Sequence, residues 1–170
     1  MTSNRSISVE IKKKYLVEYL RWVFKAKISG PIEIDLRHPI GKHIYSMVFN
    51  VPYKLKRKSK PSDIELLLPQ TRFSNYDSHF IHIYRWGEEK INCFVDSWFH
   101  MEFNRHMNIS ERLGIEFRHA VDNFMFGRKI CMTNIDRGSL IKNDWRFRNN
   151  IIQDIYNTEK QPEFKMFIQD

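Results

Sequence analysis

The spacing of apolar residues changes several times along this chain, and each change marks an element. Ile7, Val9 and Ile11 alternate with Ser8 and Glu10, the period of two that a strand with one buried face requires. Tyr15, Leu16, Tyr19, Leu20, Val23 and Phe24 then recur at helical spacing, with Lys12, Lys13, Lys14, Glu18 and Arg21 largely outside the stripe. Ser29-Gly30-Pro31 ends that helix, and Ile32, Ile34 and Leu36 alternate as a second short strand. His38-Pro39 opens another helix, because proline suits a first helical turn. Ile40, Ile44, Met47, Val48 and Val51 keep helical spacing up to Pro52. Ile64, Leu66 and Leu68 predict a third strand before Pro69. Arg72 to Ser78 is rich in turn formers, and Phe80 to Trp86 fits a fourth strand or the first turn of the next element.

From Glu88 onward the pattern is helical. Ile91, Phe94, Val95, Trp98, Phe99 and Phe103 form one apolar stripe, expected to be core rather than a surface for stacking bases. Asn108-Ile109-Ser110-Glu111 reads as a break, with Ser110 as the natural N-cap of the next helix. That helix carries Leu113, Phe117, Ala120, Val121, Phe124 and Met125, and Gly127 is placed to end it. After a connector from Arg128 to Asn134, a last helix runs from about Asp136 to Ile155, with Leu140, Ile141, Trp145, Arg148 and Ile152 along one side. The expected fold is α+β: a small α/β half over 1–87 with a basic loop at 54–60, a helical half over 88–157 that resembles a helix-turn-helix, and a tail over 158–170.

Composition sharpens this picture. The 170 residues include 28 Lys+Arg against 20 Asp+Glu, a formal charge of +8. A field of that sign attracts polyanions. Cys93 and Cys131 form no C-x-x-C pattern, which fits a reducing compartment. Met1 to Arg5 is polar and no apolar run comes after it, so neither a signal peptide nor a membrane segment is expected. The expected location is the cytoplasm.

The candidate chemistry is recognition. The helix pair Ser110–Phe126 and Asp136–Ile155 has the proportions of a motif whose second helix enters the major groove of DNA. Ser139, Lys142, Asn143, Arg146, Asn149 and Asn150 fall on the side away from Leu140, Ile141 and Trp145. Arginine can pair with guanine and asparagine with adenine through two hydrogen bonds each. Arg118, Arg128, Lys129 and Arg137 are expected near phosphates, which position a protein without specifying sequence. Lys54-Leu55-Lys56-Arg57-Lys58-Ser59-Lys60 places five cations in seven residues, a second candidate for phosphate contact.

The run Ala120-Val121-Asp122-Asn123-Phe124, then Ile130, Leu140 and Trp145-Arg146-Phe147-Arg148, resembles the C-terminal end of a group of small basic proteins of Bacteroidota phages and mobile elements. The order of N-terminal elements is similar too. The sequence departs from the group at Cys131-Met132-Thr133, where acidic residues are usual. The resemblance implies a phage or mobile-element setting and a helix-turn-helix.

Catalytic patterns are weaker. The chain has no G-x-x-x-x-G-K-[ST], G-x-G-x-x-G or G-x-S-x-G. His79 and His82 suggest the histidine pair of metal-dependent nucleases, but two intervening residues would point their rings to opposite strand faces. The expectation is a non-enzymatic DNA-binding regulator or a recombination/replication accessory factor. It would have no cofactor and no metal, RNA is left open as a partner, and a homodimer is left open as the binding form. A structural or protein-docking component is the second reading, and a metal-dependent nuclease the third.

Overall fold

The alternation of Ile7 and Val9 produces β1 (Ser6–Glu10), and that of Ile64 and Leu66 produces β4 (Asp63–Leu67). The computed structural model describes residues 6–53, 55, 60, 62–69, 80–133, 135 and 137–159. Lys54, Lys56, Arg57 and Lys58, the stretch Arg72 to Ser78, His79, Asp136, the side chain of Ile152 and residues 160–170 of the expected tail lie outside that set.

β4 is the middle strand of a three-stranded sheet, ordered β1-β4-β2, where β2 is Ile32–Glu33. β1 pairs with β4 antiparallel, Ile7 opposite Leu66 and Val9 opposite Ile64. β2 pairs with β4 in parallel, Ile32 opposite Leu66. This register puts Ile7, Val9, Ile32, Ile64 and Leu66 on one buried face, while Ser8, Glu33 and Glu65 face outward.

Helix α1 (Lys14–Val23) buries Tyr15, Leu16, Tyr19 and Leu20, the stripe its spacing predicts. Helix α2 (Pro39–Ser46) begins at His38, whose ring Nδ1 accepts a hydrogen bond from the Ile40 N–H at 3.2 Å. Its Gly41 packs so tightly on the Asp35 carbonyl that a Cβ there would collide with the oxygen. The helix stops well short of Pro52. Phe49–Val51 is instead a strand, β3, paired antiparallel with β5 (Phe80–His82). Val48 to Val51 suits either period, and pairing with a distant segment decides it.

Helix α3 (Arg85–Arg112) starts before Glu88 and continues through the expected break. Ser110 is a buried residue inside it rather than a cap. The real end is a Schellman turn: Gly114 takes φ +69°, its N–H bonds to the Glu111 carbonyl at 3.0 Å, and the Ile115 N–H bonds to that of Ser110 at 2.9 Å. Helix α4 is therefore shorter than expected, Phe117–Gly127. Gly127 is still helical. The left-handed residue that closes α4 is Lys129, φ 55°, with the Ile130 N–H bonded to the Met125 carbonyl at 3.0 Å. Lys25, φ 51°, closes α1 in the same way.

Phe99 is a hub of the core. Its ring lies 5.0 Å from Tyr15, 5.2 Å from Tyr19 and 5.6 Å from Phe124, so α1, α3 and α4 meet on it. The chain forms two compact units, Met1–Asn134 and Ile135–Asp170. The first holds every described strand and α1 to α4, so Gly87 lies within it, inside α3. The second is built on helix α5 (Arg137–Glu159). The fold class is α+β, with strands confined to the N-terminal half among the described residues. No described helix is long and apolar enough to cross a membrane.

Candidate nucleic-acid interface

On α5, Leu140, Asp144 and Arg148 succeed one another at four-residue spacing. Leu140 and Asp144 are buried, and the Arg148 Nε donates to Asp144 at 2.9 Å. Arg137, Ser139, Lys142, Asn143, Arg146 and Asn150 are exposed, and Asn149 is half-buried. Helical geometry turns Ser139, Lys142 and Arg146 away from the line of Leu140, Asp144 and Arg148, with Asn143 and Asn150 at the edge between the two sides. Trp145 departs from expectation. It does not join the buried line and is 64% exposed, because the salt-bridged Asp144 occupies that line instead.

The expected cations outside α5 have different fates. Arg118 is exposed on α4. Arg128 is not a surface phosphate contact: its side chain is only 17% exposed. Its guanidinium lies 3.8 Å from the Phe124 ring centroid and 4.8 Å from that of Trp22, with Nη2 3.3 Å from Glu102 Oε2. Those are two cation–π contacts joined by an ion pair. Burial, and then the Glu102 carboxylate, push the nearby Tyr19 hydroxyl above the ordinary phenol range. Lys129 is exposed, and with Lys12, Lys14, Arg21 and Lys25 it lines a groove of about 1260 Å³ in the first unit. Glu18, Asp63 and Glu102 line the same groove, so its charge is mixed.

A titratable cluster joins α1 to α3. Asp96 accepts hydrogen bonds from Lys13 Nζ and Tyr15 Oη, both at 2.7 Å, and His100 Nε2 is 3.7 Å away. Burial alone would raise the Asp96 carboxyl, but the bonds from Lys13 and Tyr15 outweigh it and hold the group below its usual range. Burial pushes His100 down, against the pull of Asp96. Tyr15 is pushed up by burial and by Asp96, so it stays a protonated donor. The chemistry available here is a clasp between helices. Among the described residues, no three His, Cys, Asp or Glu side chains converge to hold a metal ion.

Sequence reasoning missed a set of rings. Phe49, Phe80, Tyr84 and Trp86 stand exposed around the β3–β5 ribbon, with Tyr53 just beyond β3. Phe49 is 5.4 Å from Tyr84 and 5.8 Å from Trp86, ring to ring. The signal was aromatic residues at both ends of an unrecognised strand pair. By contrast, Phe99 and Phe103 are fully buried, as their stripe implied.

Comparison of the chain with models of protein families, with curated proteins and with solved structures gives no match. The surface of the molecule is then the guide to its function.

Proposed function

We propose that this protein binds duplex DNA through the outer side of α5, as a regulator or a recombination/replication accessory factor, and does no chemistry on it. The observation that carries the reading is the shared exposure of Lys142 and Arg146, with Asn143 at their edge, on one side of a helix whose opposite side is buried. Arg146 and Asn143 have the side chains that read base edges, and Lys142 the charge that meets phosphate. The net charge of +8 favours the encounter.

The test is a titration of the full chain against a pool of duplexes at several salt concentrations. Affinity should fall steeply as salt rises. Arg146→Ala should cost about 1–3 kcal/mol and relax selectivity at one base position, while Lys142→Ala should weaken all duplexes alike and reduce the salt slope by about one. Affinity no better than that of an equally basic inert protein would overturn the proposal. Docking on a protein is the second reading, and the exposed Trp145 and Phe147 flanking Arg146 favour it. Trp145→Ala should then abolish partner capture while leaving any DNA affinity unchanged.

A further inference from the structure

The β3–β5 ribbon presents more aromatic surface than so small a sheet can cover. Its register sets Phe49 opposite His82 and Val51 opposite Phe80, so Phe49 and Phe80 share one face. Tyr84 and Trp86 continue from β5 into the start of α3, and Tyr53 comes just after β3. These five rings are between 37% and 64% exposed. Phe49 meets Tyr84 at an interplanar angle of 62° and Trp86 at 65°. In an edge-on contact one of the two rings keeps both faces, whereas face-to-face stacking would take a face from each.

We infer that this patch is a stacking platform for the unpaired bases of single-stranded nucleic acid. Every base has a flat π-face, and proteins that hold unpaired strands offer exposed rings beside cationic groups. Charge selects this occupant. Lys90 Nζ lies 5.1 Å over the Trp86 ring, and the exposed Arg85, paired with Glu89 at 3.4 Å, precedes Trp86. The chain as a whole carries a formal charge of +8. Two copies of a chain with that charge repel one another, which disfavours self-association. Duplex bases are already stacked on one another and offer no free face, so the platform selects unpaired strands. The inference shares with the α5 proposal only the class of ligand, and it uses none of the α5 residues.

The experiment is fluorescence anisotropy on the full chain with labelled oligothymidylate, oligouridylate and a duplex of equal length. Binding of either single strand supports the platform, and preference between them assigns DNA or RNA. Trp86→Ala should weaken single-strand binding by about five- to a hundredfold and change duplex binding less than about twofold. Trp86→Phe should restore most of the loss. Tyr53→Ala, at the most exposed ring, gives the same reading if Trp86→Ala fails to fold. Equal losses for single strand and duplex, or no loss in either, would overturn the inference. So would a dimer in sedimentation that Trp86→Ala dissociates. Single-strand binding without duplex binding would sink the α5 proposal and leave this one standing, and the reverse result would do the opposite.

Discussion

Arg128 shows how far a residue's type can mislead about its task. As a cation beside a helix end it suggests phosphate, yet its guanidinium lies over the rings of Phe124 and Trp22 and its charge is matched by Glu102. Arg128→Ala should destabilise the protein by about 1–3 kcal/mol, seen as a lower urea midpoint, because it takes the countercharge from a half-buried carboxylate, leaving it the Trp98 hydrogen bond, and strips two rings of their partner. Arg128→Lys should recover little, since an ammonium has no flat face to lay on a ring. Neither substitution should alter the salt slope of DNA binding. Gly41 is governed by space rather than charge. A methyl group would collide with the Asp35 carbonyl, so Gly41→Ala should force α2 away from its neighbour and cost about 1–3 kcal/mol or more in the same measurement.

Between elements, the clasp of α1 on α3 gives stability a pH dependence. His100 is depressed in the folded state, chiefly by burial, so the unfolded chain binds its proton more readily. Stability contributed by the neutral ring is complete above the usual imidazole range, roughly 6.5, and is lost as pH falls through the depressed value. Asp96 is also depressed, so its contribution disappears in turn at lower pH, in the carboxylate range. Urea midpoints should therefore drop between pH 7.5 and 5, and His100→Gln should flatten that drop. Elements also differ in how legible they were in the sequence. Period-two and helical stripes were legible wherever burial is one-sided, as in β1, β4, α1 and the run from Ile91 to Phe103. β3 was not legible, because Val48 to Val51 keeps helical phase with α2 and only β5 makes it a strand. Ser110 carried a cap signal that the long α3 ignores, since the chain turns where Gly114 permits it. The ring platform was hidden for a related reason: Phe49 and Trp86 are neighbours only once β3 and β5 have paired. The polar side of α5 was legible because one helix carries all of it. The place of Trp145 was not, because an ion-paired Asp144 took the buried position expected of an apolar residue.

For the molecule as a whole, a charge of +8 is one field serving two distinct proposals, groove reading by α5 and stacking on the ribbon. Salt will weaken both, so ionic strength alone cannot separate them. The ring and arginine variants can. The position of β4 has a further consequence, for the order in which the chain acquires its shape. β4 is made last of its three strands yet sits between the other two, so β1 and β2 cannot pair as a hairpin. Closing the first ladder joins Glu10 to Asp63 and Ser6 to Leu67, long loops that slow folding more than they weaken the folded state. During synthesis, Ile7, Val9 and Ile32 must wait without strand partners until Leu66 has been added. That interval, rather than any defect of the finished sheet, is when this chain is most prone to aggregate.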